Sequence, residues 1–283
     1  MTCYGDLPEA YNDKNKSAAV IVPVPYDDTS TWLKGADKGP QALIEASANM
    51  ELYDIETGTE VYKNGIYTDV PVSISGKPEG MIAAVKERVH SWMEMNKFVI
   101  TVGGEHSVTI GSVEAHLGKY PDLSVLQLDA HTDLRPEYLG SKYNHACTMA
   151  RIQEHCPITQ VGIRSMDIIE KEYLNPGHVF FAEEIISTKN WIEKVIQTLS
   201  NKFYLTIDLD VFDPSVMAST GTPEPGGLDW YIVLELLRRV IDKKELVGFD
   251  IVELCPDKNN KAPDFLAAKL LYKVLTYKFL NRK

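Results

Sequence analysis

The stretch Leu123-Ser124-Val125-Leu126-Gln127-Leu128 runs without a break into Asp129-Ala130-His131-Thr132-Asp133. A short apolar run with no polar alternation reads as a strand covered on both faces, and such strands belong to parallel sheets. Similar runs recur at Ala18–Val24, Phe98–Val102, Ile158–Ile163, Val179–Phe181, Phe203–Val211 and Leu246–Leu254. Between them lie Met81–Asn96, Ser107–Leu117, Ile192–Leu199 and Leu228–Ile241, where apolar residues return every three or four positions, the helical period. Pro263–Leu280 closes the chain as a further helix, with proline in its first turn. Strands alternating with helices predict an α/β fold of three layers, α/β/α, with a mostly parallel central sheet. No linker, repeat or low-complexity tract divides the sequence, so residues 1–283 read as a single domain.

Ligands of such sheets bind beyond the carboxyl ends of the strands. Three clusters sit there. One is Asp129-Ala130-His131-Thr132-Asp133, whose alternate residues would share a face if the chain stayed extended. The second is Asp208-Leu209-Asp210, ending the run Phe203-Tyr204-Leu205-Thr206-Ile207. The third is Gly103-Gly104-Glu105-His106-Ser107, between a strand and a helix. A lone Asp after a strand is usually a turn former or helix cap, and lone histidines such as His90, His116, His155 and His178 read as structural. Two histidines and four aspartates at successive strand ends are another matter, because unpaired carboxylates at the rim of a core are costly.

Four aspartates carry a charge that two divalent cations would neutralise, with His106 and His131 completing the shell. Oxygen-rich ligation with some imidazole and no thiolate favours Mn²⁺, with Co²⁺, Fe²⁺ or Zn²⁺ as alternatives. Two such ions about 3.5–4 Å apart can lower the pKa of a shared water and aim it at an electrophile. From the residues alone the reading is a two-metal hydrolase.

Taken together, Gly103–Ser107, Asp129–Asp133 and Asp208-Leu209-Asp210-Val211-Phe212-Asp213-Pro214-Ser215 resemble the three signatures of the ureohydrolases, the arginase and agmatinase family. The likeness extends from Gly35-Ala36-Asp37-Lys38-Gly39-Pro40 through Gly221-Thr222-Pro223-Glu224-Pro225-Gly226-Gly227-Leu228 to Asp250-Ile251-Val252-Glu253. The resemblance implies that His106, Asp129, Asp133 and Asp208 hold one Mn²⁺, and that Asp129, His131, Asp208 and Asp210 hold the other. It implies a bridging hydroxide that attacks a guanidinium carbon, with Asp133 accepting a hydrogen bond from it. Glu253 would orient the guanidinium, Thr222 would lie beside it, and His145 would pass a proton to the departing amine. Asp250 would support the site from behind; Cys147 and Cys255 read as packing residues and Asp213 as a turn former.

The loop Leu134-Arg135-Pro136-Glu137-Tyr138-Leu139-Gly140 is similar to that of bacterial agmatinases and departs from the arginase pattern. Agmatine, cleaved to putrescine and urea, is therefore the expected substrate, its cationic tail received by Glu137, Glu224 or Tyr138. Arg135 would repel that tail unless Glu137 or another acid neutralises it, and would otherwise favour a guanidino acid such as guanidinobutyrate. Arginase activity, or a two-metal hydrolase of another ester or amide, are further alternatives. A phosphoesterase would need cationic clamps that these motifs lack, and deacetylases of the same fold lack the full six-ligand set.

The net charge of −11 and pI near 5.1 exclude the basic face of a general nucleic-acid binder. Met1–Asp13 carries Asp6, Glu9 and Asp13 and no apolar signal core, and no run is long enough to span a membrane. Cys3, Cys147, Cys156 and Cys255 are scattered, as reduced thiols of a cytoplasmic protein would be. The expected partners are a small guanidino substrate and, by resemblance, further copies of the chain in a trimer or hexamer.

Overall fold

The computed structural model describes residues 3–74 and 77–280; residues 1–2, 75–76 and 281–283, part of the expected single domain, lie outside the described residues. Eight strands form one sheet: β1 (Ala19–Val24), β2 (Ile66–Thr68), β3 (Phe98–Gly103), β4 (Ser124–Leu128), β5 (Ile158–Ile163), β6 (Val179–Phe181), β7 (Lys202–Asp208) and β8 (Glu245–Val252). Their order is β2-β1-β3-β8-β7-β4-β5-β6, and every pairing between them is parallel. Each strand expected from the sequence is present. β2 is the addition; three residues, Ile66-Tyr67-Thr68, are too few to show a pattern.

Helices α1 (Gly39–Ser47), α6 (Trp191–Thr198), α7 (Trp230–Lys243) and α8 (Ala262–Phe279) cover one face, burying Leu43, Val195, Leu237 and Leu271 in the largest apolar cluster. Helices α2 (Pro78–Glu94), α3 (Val108–Lys119) and α4 (Thr148–Gln153) cover the other, around Val85, Ile110 and Met149. The short helix α5 (Ala182–Ser187) packs beside β5 and β6. Helices α4 and α5, six residues each, are too short to show a helical period, and α1 is not among the expected helices either. The helix expected from Leu228 begins instead at Trp230, because the Asp229 carboxylate accepts the Ile232 N–H at 2.8 Å and caps it.

Two expected strands stop early. The run Phe203–Val211 breaks at Asp208, whose carboxylate accepts the Asp210 N–H at 2.9 Å and turns Leu209–Val211 into a 3-10 helix. The run ending at Leu254 leaves the sheet after Val252, because Glu253 adopts φ 64°. The consequence for function is positional: β3, β8, β7 and β4 are neighbours, so His106, Glu253, Asp208, Asp210 and Asp129 emerge side by side at their carboxyl ends. At about 4.8 Å per strand, these sources span roughly 14 Å. Gly104 makes this packing possible, since a Cβ there would lie 1.9 Å from the Tyr26 carbonyl oxygen.

Candidate metal centre

The six aspartates and histidines singled out in the sequence converge. His106 Nδ1 lies 3.1 Å from Asp129, 3.0 Å from Asp133 and 3.5 Å from Asp208. It is buried and has no hydrogen-bond partner, although three carboxylates surround it. His131 Nδ1 lies 2.9 Å from Asp210 and 3.6 Å from Asp129. The donor atoms of His106, Asp129 and Asp208 fall within one ion's reach, as do those of Asp129, His131 and Asp210. Asp129 belongs to both groups.

Local hydrogen bonds aim these side chains. Asp208 spends one oxygen on the Asp210 N–H, and Asp210 spends one on the Ala130 N–H at 3.0 Å. Asp129 accepts the His131 N–H and the Gln127 amide, both at 2.6 Å. His106 Nε2 pairs with the Thr206 hydroxyl at 2.9 Å, and that hydroxyl donates to Asp250 at 2.6 Å. Because the threonine proton goes to Asp250, His106 carries its proton on Nε2, which leaves the Nδ1 lone pair free for a cation. Tyr204 donates to the other Asp250 oxygen at 2.8 Å, so Asp250 supports the centre from behind, as expected.

Asp133 reaches the centre by a different route from the extended alternation expected of Asp129–Asp133. It sits at φ 52°, and this left-handed turn brings its carboxylate back over His106. Glu253 is also at positive φ. Two acids in this strained conformation at one site point to geometry selected for chemistry.

Buried negative charge attracts positive charge, and the titration behaviour shows it. Burial opposes charge on His131, yet Asp210 and Asp129 push its imidazole up to about 12. His106 is likewise held well above its ordinary value, against burial, by Asp129 and Asp133. Burial lifts Asp133 to about 6, and burial with Asp210 and Asp129 pushes Asp208 well above the usual carboxylate range. Two divalent cations would answer that demand and displace those protons. The residues fit a binuclear centre.

Above the centre lies a cavity of about 300 Å³, lined among others by Asp133, Arg135, His145, Asp167, Thr222 and Glu253. A wider hollow of about 840 Å³ between α7, α8 and residues 51–56 contains none of these groups, so chemistry and not size locates the site. Glu253 accepts the His106 N–H at 2.7 Å through Oε1, 3.8 Å from His145 Nδ1. Burial and the nearby Glu105 push its carboxyl well up, so an arriving cation would favour its ionised form. Burial, then the charges of His131 and His106, depress His145 to about 4, leaving it a neutral imidazole. Cys147 is buried, its thiol pushed up to about 12, in keeping with packing. Asp213 accepts the N–H groups of Ser215, Gly226 and Gly227, which makes it the turn former expected.

Arg135 is neutralised by acids other than Glu137. Its guanidinium lies 3.2 Å from Asp167 and 3.5 Å from Glu170, and stacks 4.4 Å from the Tyr138 ring. Glu105, part of the Gly103–Ser107 motif, is buried and accepts the Thr29 N–H and hydroxyl, and Thr29 Oγ1 accepts the His145 N–H at 2.9 Å, which ties the loop after β1 to His145. Several supporting residues have no signal in the sequence, Thr29 among them. Thr206 and Arg164 were equally invisible, since one threonine in a strand and one arginine after a strand form no motif.

Comparison with known proteins gives the chain's relatives. The model of the Arginase family matches residues 17–276. An N(1)-aminopropylagmatine ureohydrolase of Synechocystis sp. is 39% identical, covering 95% of this chain and 92% of that protein. One of Thermus thermophilus is 36% identical, covering 98% and 95%. Among solved structures, the agmatine ureohydrolase of Thermoplasma volcanium superposes with a TM-score of 0.86 at 32% identity, covering 97% and 94%.

Proposed function

Because the chain belongs to the arginase family, we propose that it hydrolyses the guanidinium group of an agmatine carrying an aminopropyl extension on its amine. It is a ureohydrolase of the agmatinase type, acting on guanidino compounds. The observation that carries the substrate reading is the pairing of Arg135 with Asp167 and Glu170, which cancels a cation of the cavity wall that would otherwise repel a cationic tail. Asp167 and Glu170 line the cavity themselves, so its wall favours amines over carboxylates. The relatives at 39% and 36% identity are named for the extended substrate, whereas the Thermoplasma enzyme is named for agmatine itself. Agmatine is the second reading.

In this proposal His106, Asp129, Asp133 and Asp208 hold one divalent cation, and Asp129, His131, Asp208 and Asp210 the other, with Mn²⁺ ahead of Co²⁺, Fe²⁺ and Zn²⁺. Two such cations supply Lewis acidity and a water acidic enough to act as a nucleophile near neutral pH. The protein does the rest. Glu253 accepts guanidinium N–H groups and holds the carbon over Asp133, a planar fork matched to a carboxylate. Asp133 accepts a hydrogen bond from the attacking oxygen. Attack on carbon is followed by breakage of the C–N bond to the tail; the neutral His145 imidazole takes up a proton and passes it to the departing amine. Urea and a linear polyamine leave: the triamine from the extended substrate, putrescine from agmatine. Thr222 lines the same wall and completes the guanidinium pocket.

The proposed setting is a reducing cytoplasm, which suits the four free cysteines, and a homo-oligomer. No helix among the described residues is long and apolar enough to cross a membrane. Urea release from aminopropylagmatine, agmatine, guanidinobutyrate and arginine tests the substrate reading. The extended substrate should give the highest kcat/KM, followed by agmatine; a large preference for guanidinobutyrate would overturn it.

A further inference from the structure

Arg164 follows β5, outside every motif that marks the centre. Its guanidinium donates only to main-chain carbonyls: Asp210 at 2.6 Å, Glu224 at 2.8 Å, Gly162 and Pro225 at 3.0 Å, Phe212 at 3.3 Å and Val211 at 3.5 Å. It forms none of the ion pairs among the described residues. A half-buried cation that ignores the acids around it and gathers six carbonyls is tying backbone segments together. The segments are the 3-10 turn that carries Asp210 and the loop that carries Glu224.

Those two acids share one partner. Asp210 faces His131 Nδ1 at 2.9 Å, and Glu224 faces His131 Nε2 at 3.8 Å. The Glu224 carboxylate stands on the Nε2 side of the ring and Asp210 on the Nδ1 side, so the two acids bracket the imidazole. The Glu224 loop has a second tether, the Asp213 carboxylate on the N–H groups of Gly226 and Gly227. Backbone pairing of Leu228 with Val211 and Asp213 ties the end of that loop to the turn. The Arg164 fork joins the Glu224 stretch itself to the Asp210 turn and to β5 at once, and the single ammonium of a lysine cannot present donors in two directions from a rigid plane.

We propose that Arg164 is a positioning residue for the ion held by His131: it fixes the Asp210 turn and the Glu224 loop at the spacing that clamps the imidazole from both sides. The inference rests on the binuclear reading above. It assigns Arg164 no contact with substrate or cation, and predicts that its loss is felt at one ion and not at the other.

The test is Mn²⁺ binding to the intact chain, by equilibrium titration with elemental analysis and by electron paramagnetic resonance. Wild type should bind two Mn²⁺ per chain and show the spectrum of a spin-coupled pair. Arg164→Met should keep one ion at wild-type affinity, lose roughly 10- to 100-fold at the other, and show the spectrum of an isolated ion. Arg164→Lys should recover part of the loss. Glu224→Gln, a change at a partly exposed side chain, should weaken the same ion, and adding it to Arg164→Met should cost less than the two separate losses combined. Two coupled ions at wild-type affinity in Arg164→Met or in Glu224→Gln would overturn the proposal, as would equal weakening of both ions. A wild-type chain that binds fewer than two ions would instead sink the binuclear reading, and the proposal with it.

Discussion

The two histidines of the centre stand in similar motifs but in different surroundings. The His106 side chain is 1% exposed and is held by Thr206 and Asp250, side chains that stand on the central strands β7 and β8. The His131 side chain is 24% exposed, lies past the end of β4, and is held by a loop carboxylate and by backbone that Arg164 gathers. One half of the centre is part of the sheet's core; the other is assembled from turns at its edge. Ligand sets that look alike in sequence therefore depend on different parts of the fold, and each half should fail in its own way.

Asp129, which belongs to both halves, breaks the comparison most completely. Asp129→Ala should reduce urea release by on the order of a thousandfold or more and abolish binding of both ions, checked by a urea assay and elemental analysis. His131→Ala and Asp208→Ala should likewise abolish metal-dependent urea release, the latter by weakening both ions; near-normal turnover in either would refute the ligand assignment.

Thr206→Val sharpens the difference. It leaves His106 Nε2 and an Asp250 oxygen buried without their partner, so the inner ion should weaken roughly 10- to 100-fold and the fold lose about 1–3 kcal/mol. Glu224→Gln, near solvent, should weaken only the outer ion and leave the urea-denaturation midpoint nearly unchanged. If both variants destabilise the fold equally, the contrast between core and edge is wrong.

The smallest effect lies at the far end of the inner support. Tyr204, which donates to Asp250, packs against buried His116, the ring centroids 4.9 Å apart and the planes tilted by 59°. Burial depresses His116 to about 4, against an unfolded value near 6.5. The unfolded chain thus takes up that proton first, so stability is full above pH 6.5 and falls as pH drops toward 4. The loss amounts to at most about 3 kcal/mol. The difference in stability between wild type and His116→Gln, followed over pH 4 to 7, should show this slope; a flat difference would contradict it.

These contrasts also explain what could be read in advance. Seven strands were legible because strands buried on both faces are continuous apolar runs, and the six candidate ligands were legible because they follow directly on three of those runs. The reason given for Asp133 was wrong, since nothing in Asp129–Asp133 announces a left-handed residue. Arg135 looked unpaired because Asp167 and Glu170 join it only across the fold. Thr206 and Arg164 act through atoms that any threonine or arginine has, and position alone gives them a role.

The account rests on two cations at this centre. Its most direct test strips the chain with a chelator and then titrates Mn²⁺ while urea release from aminopropylagmatine and agmatine is followed. Activity should be absent in the stripped chain and return in full as two ions bind per chain, with a rise in melting temperature as the clustered carboxylates are neutralised. A stripped chain that releases urea at the full rate, or full activity reached with a single ion, would contradict it.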